Sequence, residues 1–280
     1  MKKLFIGCIV GLLIGCTSVG AKVSFDGLKN INAPFIVDVI GDNRGRDKEY
    51  TALINLMAKD SPVASFNVGD LTAIPCIGVK EFQDRSLALK SPYFFAPGNH
   101  DIIGNGDCYL KWSKQPGLYF SFDINKFTFI VLNSENLDET QLSWLKIELT
   151  KTKNKKFIFI HKPLYANKVH EALPDNLKLT LHKLFKDNNV AIVFQGHDHL
   201  YNKVIVDDIS YIVTGGGGAP LYADGFYHYI RLSFKDTNIL VEVISIDGKI
   251  IESWVVNKPN NRSVRRIWGN NNNARPIRKD

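Results

Sequence analysis

Apolar runs of strand length alternate with amphipathic segments between residues 35 and 96. The runs cover 35–40, 63–68 and 93–96, and the amphipathic segments cover 47–59 and 79–89. In the first of these segments, Leu53, Ile54, Met57 and Ala58 recur at the spacing of one helical face. The β-α-β-α-β order predicts parallel strands joined by right-handed crossover helices.

The alternation continues beyond residue 118 and then gives way to strands alone. Further strands are predicted at 118–122, 127–132, 157–160 and 191–194, and helices at 138–149 and 177–185. After residue 200, more apolar runs cover 203–206, 211–213, 227–234 and 239–246. Asp-Gly pairs at 224–225 and 247–248 are typical of turns between such runs. We therefore expect residues 200–254 to form a second, largely antiparallel sheet packed on the first.

The formal net charge of +7 resides at the two ends of the chain. Seven Lys and Arg residues follow residue 257, against Asp280 alone, and Lys2 and Lys3 stand at the start. Residues 4–257 therefore sum to a charge of −1. A nucleic-acid-binding domain is expected to carry a basic face of its own, so we expect no nucleic acid partner.

The N-terminus has the pattern of an export signal. Lys2 and Lys3 precede an apolar stretch, 4–15, that is too short for a permanent membrane-spanning helix. It ends in Leu-Ile-Gly-Cys16, which resembles the bacterial lipobox, whose cysteine receives a lipid. We expect an exported protein anchored by lipid on Cys16 to the cell envelope, periplasm-facing or on the outer membrane. An ordinary signal peptide or an uncleaved anchor is the alternative.

These features divide the chain into four parts. We expect a signal peptide at 1–15, a tether at 16–33, one folded domain at 34–257, and a basic disordered tail at 258–280. Cys76 and Cys108 remain after cleavage, in loops after Asp70 and Asp101. An oxidising compartment makes a disulfide between them plausible, with two free thiols as the alternative.

Metal-binding residue types follow the predicted strands, most of them next to a glycine. The candidate donors are Asp42, Asp70, Asn99, His161, His197 and His199. The carboxyl ends of neighbouring parallel strands meet at one edge of a sheet, so these side chains are expected to converge. Mixed carboxylate, amide and imidazole donors suit two Fe, Mn or Zn ions. Such a pair of ions points to the hydrolysis of phosphate esters.

On these motifs the chain resembles the calcineurin-like metallophosphoesterases, in particular their purple-acid-phosphatase-like bacterial branch. The resemblance runs from about residue 35 to 254 and includes YIVTGGGGAPLY at 211–222. It implies an α/β fold of two mixed β-sheets packed face to face and flanked by helices. It also implies a dinuclear site acting on a small phosphorylated substrate, either a phosphomonoester or a small phosphodiester.

The resemblance assigns a role to each donor. Asp70 would bridge the two ions. Asp42 and His199 would bind the first ion, while Asn99, His161 and His197 would bind the second. Asn99 would also face the substrate. His100 would stabilise the transition state and protonate the leaving oxygen, with Asp101 orienting its ring.

One position departs from the family pattern. Arg44 stands where the first motif usually supplies a histidine to the first metal, and Ala73 stands where purple acid phosphatases supply a tyrosine. An arginine stays protonated and cannot bind a metal ion. Arg44 would either clamp a phosphate oxygen of the substrate or hold Asp42, and in both cases the first metal would bind more weakly. A catalytically weakened surface lipoprotein that acts as a binding module is therefore the alternative function.

Two other features allow a structural or a functional interpretation. Gly215–Gly218 could form a backbone nest for phosphate or a tight crossing between strands. His170 could meet the substrate or lie on the surface.

Overall fold

The computed structural model describes residues 21–22, 27–235 and 238–256. The predicted signal peptide, Cys16, much of the tether and the basic tail lie outside these residues. Among the described residues, no helix combines the length and apolar character needed to cross a bilayer.

Thirteen strands form two sheets, and five helices cover them. The strands are β1 (Ala21–Lys22), β2 (Phe35–Ile40), β3 (Ala64–Asn67), β4 (Tyr93–Phe95), β5 (Phe120–Ile124), β6 (Phe127–Val131), β7 (Lys155–Phe159), β8 (Val190–Gln195), β9 (Tyr201–Val206), β10 (Ile209–Thr214), β11 (His228–Phe234), β12 (Ile239–Ser245) and β13 (Ile250–Val255). The helices are α1 (Asp47–Asp60), α2 (Val79–Ser86), α3 (Asp107–Ser113), α4 (Glu139–Thr150) and α5 (Asp175–Asp187). This count concerns the described part of the chain.

The predicted β-α-β-α-β unit is confirmed. β2, β3 and β4 are neighbouring parallel strands of one sheet, and α1 and α2 connect them. The sheet has six strands in the order β13-β12-β11-β2-β3-β4. The other sheet has seven strands in the order β1-β5-β6-β7-β8-β10-β9. β6, β7, β8 and β10 run parallel, so both sheets are mixed.

The prediction that residues 200–254 form a separate antiparallel sheet is wrong. β9 and β10 extend the seven-stranded sheet, because β10 pairs in parallel with β8. β11 instead pairs with β2, with Ile230 opposite Val39 and Phe234 opposite Phe35, so β11 to β13 extend the six-stranded sheet. The alternating apolar residues specify which face of a strand is buried, but they do not specify its neighbour.

The two sheets pack face to face through an aromatic layer. Phe66 of β3 stacks on Phe159 of β7 with 3.8 Å between ring centroids, and both are buried. On the outer face of the seven-stranded sheet lie α4 and α5, with Leu145 and Phe185 in the same cluster as Ile158. On the outer face of the six-stranded sheet lies α1. This is the expected sandwich of two mixed sheets flanked by helices.

Candidate metal centre

Strand ends from both sheets deliver the predicted donors to one edge of the sandwich. Asp42, Asp70 and Asn99 follow β2, β3 and β4 of the six-stranded sheet. His161 follows β7, and His197 with His199 follows β8, both in the seven-stranded sheet. Hydrogen bonds cross between the sheets here, as the His197 backbone N–H donates to the Asp42 carboxylate at 3.1 Å. The donors predicted to bind metal therefore share one site.

Three of the donor residues have left-handed backbone conformations. The φ angles are +56° at Asp42, +57° at Asp70 and +73° at His197. Such a conformation costs about 1–3 kcal/mol in a residue with a side chain, and it persists only where surrounding contacts hold it. The backbone N–H of Asp42, for example, donates to the carbonyl of Gly69 at 2.9 Å. The fold thus holds the carboxylates in place at the expense of backbone strain.

The glycines of the motifs make room for this crowding. Gly69 has a φ of +105°, and a Cβ there would lie 2.7 Å from Nδ1 of His161. A Cβ on Gly98 would lie 2.6 Å from the backbone nitrogen of Asp70. Both distances are shorter than real Cβ contacts. The recurring glycines are therefore required by the close approach of the loops that carry the donors.

The donors assigned to the second metal surround one point. Nδ1 of His161 lies 2.9 Å from the carbonyl oxygen of Val68, which can only accept, so Nδ1 carries a proton and, in the neutral form of the ring, Nε2 presents a lone pair. Nε2 lies 3.1 Å from Oδ1 of Asn99, 3.2 Å from Nδ1 of His197 and 3.4 Å from Oδ1 of Asp70.

This spacing fits a metal ion. Ligands about 2.1 Å from a shared ion lie about 3.0–3.4 Å apart. In the neutral form of the His161 ring, the oxygens of Asn99 and Asp70 face its lone pair with no proton between them, an arrangement that a cation would satisfy.

The donors assigned to the first metal lie farther apart than those assigned to the second. Atoms of Asp42, Asp70 and His199 lie within 4.8 Å of one another. Nδ1 of His199 donates to the carbonyl of Pro220 at 2.8 Å. Its Nε2 is buried without a hydrogen-bond partner, 3.8 Å from Oδ1 of Asp42. A buried, unpartnered lone pair beside two carboxylates also fits a cation, with fewer protein ligands than the second position offers.

Arg44 contacts the carboxylate predicted to bridge the ions. Its Nε donates to Oδ2 of Asp70 at 3.1 Å, and the side chain is 24% exposed. The expectation that Arg44 would hold Asp42 is therefore corrected, since the structure places its hydrogen bond on Asp70. A fixed positive charge stands beside the first position.

Burial and neighbouring charges separate the pKa values of the two carboxylates. Burial, and then the charge of Asp70, raise the pKa of Asp42 well above its usual value. Burial also acts to raise the pKa of Asp70, but His161, the His100 backbone N–H and Arg44 outweigh it and leave this pKa lowered. Burial, followed by His161, lowers the pKa of His197 to about 3. A neutral imidazole and an ionised Asp70 are the forms that bind metal.

The imidazole of His100 directs its Nε2 atom toward the site. Its Nδ1 donates to the carbonyl of Ala73 at 2.9 Å, and its Nε2 lies 4.0 Å from Oδ2 of Asp70. The carboxylate of Asp101 accepts from the backbone N–H groups of Gly98, Asp70 and Leu71, each at 2.8 Å. The expectation that Asp101 orients the His100 ring is therefore corrected. The Ala73 carbonyl orients the ring, and Asp101 ties two of the donor loops together.

Two aromatic side chains outside the predicted donor set complete the wall. His170 lies with its ring centroid 4.4 Å from that of His197, and its Nδ1 is 3.0 Å from Oδ1 of Asp198. Tyr222 stacks on His199 at 4.8 Å, and its hydroxyl is 3.3 Å from Nε2 of His170. His170 therefore lies at the site, beside a predicted metal ligand, which agrees with the first of the two interpretations that the sequence allowed.

The glycine run serves the packing of strands. The N–H of Gly217 donates to the carbonyl of Gly41, and the carbonyl of Gly216 accepts from the His228 N–H. A Cβ on Gly218 would lie 2.9 Å from the carbonyl oxygen of Asn43. These contacts favour the tight crossing over a phosphate nest.

The two cysteines of the domain are joined. Cys76 and Cys108 form a disulfide with 6.2 Å between their Cα atoms. It links the loop after Asp70 to α3, a helix that the sequence pattern did not predict.

Comparison with known proteins supports the fold described above. The calcineurin-like phosphoesterase family model matches residues 35–201. Purple acid phosphatase 5 of Arabidopsis thaliana is 26% identical over 241 residues, which are 79% of this chain and 54% of that protein. Phosphoenolpyruvate phosphatase of Allium cepa is 26% identical over 165 residues, covering 50% of this chain and 34% of that protein. The chain thus spans about half the length, or less, of these relatives.

Solved structures share the fold at low identity. Purple acid phosphatase PPD1 from yellow lupin (Lupinus luteus) superposes with a TM-score of 0.71 at 17% identity, over 80% of this chain and 54% of that one. GAP50, the anchor in the inner membrane complex of Plasmodium, superposes with a TM-score of 0.66 at 15% identity, over 84% of this chain and 92% of that one. With the family model spanning more than half of its residues, the chain belongs to the calcineurin-like phosphoesterase family.

Proposed function

We propose that the chain hydrolyses phosphate esters, either phosphomonoesters or small phosphodiesters, at a site that holds two metal ions. One observation carries the proposal. Oxygens of Asp70 and Asn99 and a nitrogen of His197 surround the lone pair of His161 at 3.1–3.4 Å. Such a cluster at the surface of a phosphoesterase fold suits a metal ion that binds phosphate.

The residues divide between two ions. One ion would be held by Asp70, Asn99, His161 and His197. The other would be held by Asp42, Asp70 and His199. Fe, Mn and Zn are the candidate metals. When bound, the ions would supply Lewis acidity and lower the pKa of a coordinated water. The first ion would have fewer protein ligands and would lie beside the Arg44 guanidinium, so we propose that it binds more weakly.

Three side chains would act on the substrate. Arg44, anchored on Asp70 and partly exposed, would place its charge against a phosphoryl oxygen. The amide of Asn99 would face the same group. His100, held through Nδ1 by the Ala73 carbonyl, would give a proton from Nε2 to the leaving oxygen.

A panel of phosphomonoesters and phosphodiesters tests the proposal, with Mn²⁺, Zn²⁺ or Fe²⁺ added to the purified protein. The control is Asp70→Ala, which removes the carboxylate proposed to be shared, and Asp187→Ala, which changes an exposed aspartate at the end of α5, serves as the matched change away from the site. We expect metal-dependent turnover in the wild type and in Asp187→Ala, and at least about 10³-fold less in Asp70→Ala. Turnover equal to Asp70→Ala with every metal would refute the proposal.

That negative result would favour a second candidate, a binding module with weakened catalysis. This candidate is favoured by one observation: Arg44 occupies a position where the family pattern supplies a metal ligand. Retained donors and a poised His100 are the observations that disfavour it.

We also propose export and a lipid anchor on Cys16, which would place the site in the cell envelope. The lipobox-like Leu-Ile-Gly-Cys16 after the apolar stretch supports this. Metabolic labelling with a fatty acid is expected to mark the wild type and not Cys16→Ser. Equal labelling of both proteins would contradict the anchor.

A further inference from the structure

A cavity of about 290 Å³ opens directly beside the metal centre. Arg44 and Ala73 form its near wall. Arg44 also donates to Asp70, and the carbonyl of Ala73 also holds the ring of His100. The cavity therefore adjoins both the residue proposed to contact the phosphoryl group and the one proposed to protonate the leaving oxygen.

Most of the cavity wall is apolar. Leu71 and Phe82 are buried, while Ile74 and Ile77 line the opening with 56% and 63% of their surface exposed. Exposed apolar side chains gathered at a concave surface commonly mark a ligand site. A cavity of about 150 Å³ with such walls holds benzene, so this one has room for a substituted ring.

Away from Arg44, the cavity offers no unpaired positive charge, and Glu81 adds an exposed carboxylate to its lining. Arg85 and Asp47 both line it, and they form an ion pair at 2.6 Å. An anionic group placed here would have to compete with Asp47 for Arg85. The cavity therefore favours a neutral, apolar occupant.

The opening is held in shape before any ligand arrives. The N–H of Ile77 donates to the carbonyl of Ile74 at 3.1 Å, and the hydroxyl of Thr72 donates to the same carbonyl at 3.0 Å. The Cys76–Cys108 disulfide ties this loop to α3. A preformed wall loses little conformational entropy when a ligand binds.

We propose that this cavity receives the alcohol portion of the substrate, an aromatic or branched aliphatic group of about one ring. The inference rests on the proposed function and narrows its substrate class. In the hydrolysis, an oxygen of water forms the new bond to phosphorus and the ester P–O bond breaks. The leaving oxygen takes the proton that the imidazolium form of His100 carries on Nε2, which leaves the ring neutral with its proton on Nδ1. The attacking water loses its proton to solvent, and solvent returns a proton to Nε2. The alcohol departs on the side of Ala73, into the cavity.

The test compares phenyl phosphate with methyl phosphate in the wild type and in Ile74→Asn/Ile77→Asn. The control is Ile147→Asn, which changes an isoleucine of equal exposure, 60%, on α4. For each ester, dividing kcat/KM of the variant by kcat/KM of the wild type cancels the intrinsic reactivity of the leaving group. We expect kcat/KM for phenyl phosphate to fall at least about 10-fold in the double variant, as loss of one buried apolar contact predicts. For methyl phosphate, kcat/KM should change less than about 2-fold in the double variant. Ile147→Asn should leave kcat/KM for both esters unchanged.

An equal fall for both esters, or no fall for either, would overturn the inference. Calorimetric binding of phenylphosphonate and methylphosphonate to the metal-loaded proteins provides a readout that needs no turnover. We expect the wild type to bind phenylphosphonate at least about 10-fold more tightly, and the double variant to lose this preference. If no ester is hydrolysed but the preference and its loss are seen, the proposed function fails and the cavity assignment stands. If esters are hydrolysed and the preference is absent, only the cavity assignment fails.

Discussion

We propose that Arg44 makes the two positions of the metal centre unequal in affinity. It hydrogen-bonds to Oδ2 of Asp70, the carboxylate proposed to be shared by both ions, while Oδ1 of Asp70 faces His161. A guanidinium keeps its charge at all physiological pH values. The negative charge of Asp70 is therefore partly neutralised by Arg44. As a result, Asp70 would attract a cation at the first position less strongly.

We expect the removal of His100 to impair the chemical step without affecting metal binding. We expect His100→Ala to lower kcat for an alkyl phosphate about 10²- to 10⁴-fold, because a poor leaving group needs the proton. For 4-nitrophenyl phosphate the loss should be smaller, since that oxygen leaves as a stable anion. Steady-state kinetics on both esters, with metal content measured in parallel, checks this. Full turnover of the alkyl ester by the variant would contradict the role.

At the scale of elements, the sequence predicts β2 to β4 and the helices between them well, because the strand and helix periods differ clearly there. It does not predict α3, whose seven residues between Gly106 and Lys114 are too few to show a period. Nor does it predict the partners of β11. For the site, the donors come in local motifs, whereas His170 and Tyr222 reach it from loops whose course depends on the whole fold.

β2 contains a buried carboxylate with no hydrogen-bond partner. Asp38 is fully buried, and its cross-strand neighbour Arg231 is engaged with Asp60 and Glu242. Burial, and then the charge of Asp60, raise the pKa of Asp38 well above its usual value. The folded protein therefore retains a proton that the unfolded chain releases above about pH 4. Stability contributed by this group is present at low pH and is lost as pH rises through the folded pKa.

Asp38→Asn removes this dependence. We expect the free energy of unfolding of the variant, minus that of the wild type, to increase by about 1.4 kcal/mol per pH unit between pH 4 and the raised pKa. Urea unfolding from pH 4.5 to 8, with a chelator present for both proteins, measures the difference. A difference that stays constant with pH would show that Asp38 does not retain its proton on folding.

At the scale of the whole molecule, donors from two sheets are held together by packing and by one covalent link. The stacked rings of Phe66 and Phe159 join the sheets beneath the site. The Cys76–Cys108 disulfide closes a segment of 32 residues at its rim, spanning β4 and the loop that carries Asn99 and His100.

Removing the disulfide is expected to lower the stability of the domain. Closure of a 32-residue loop restricts the unfolded chain by about 3–4 kcal/mol on the chain-entropy account. Cys76→Ser/Cys108→Ser should lose about this free energy of unfolding. Reductant should destabilise the wild type and leave the double variant unchanged. A wild type insensitive to reductant, with its thiols shown to be freed, would contradict the prediction.

The most direct test of the account is a titration of the metal-free protein with Mn²⁺ and Zn²⁺, combined with elemental analysis after dialysis. The geometry predicts one ion retained per chain at Asp70, Asn99, His161 and His197, and a second that binds at least about 100-fold more weakly. Arg44→His should bring the two affinities together. Two ions held with equal strength by the wild type, or none held at all, would contradict the account.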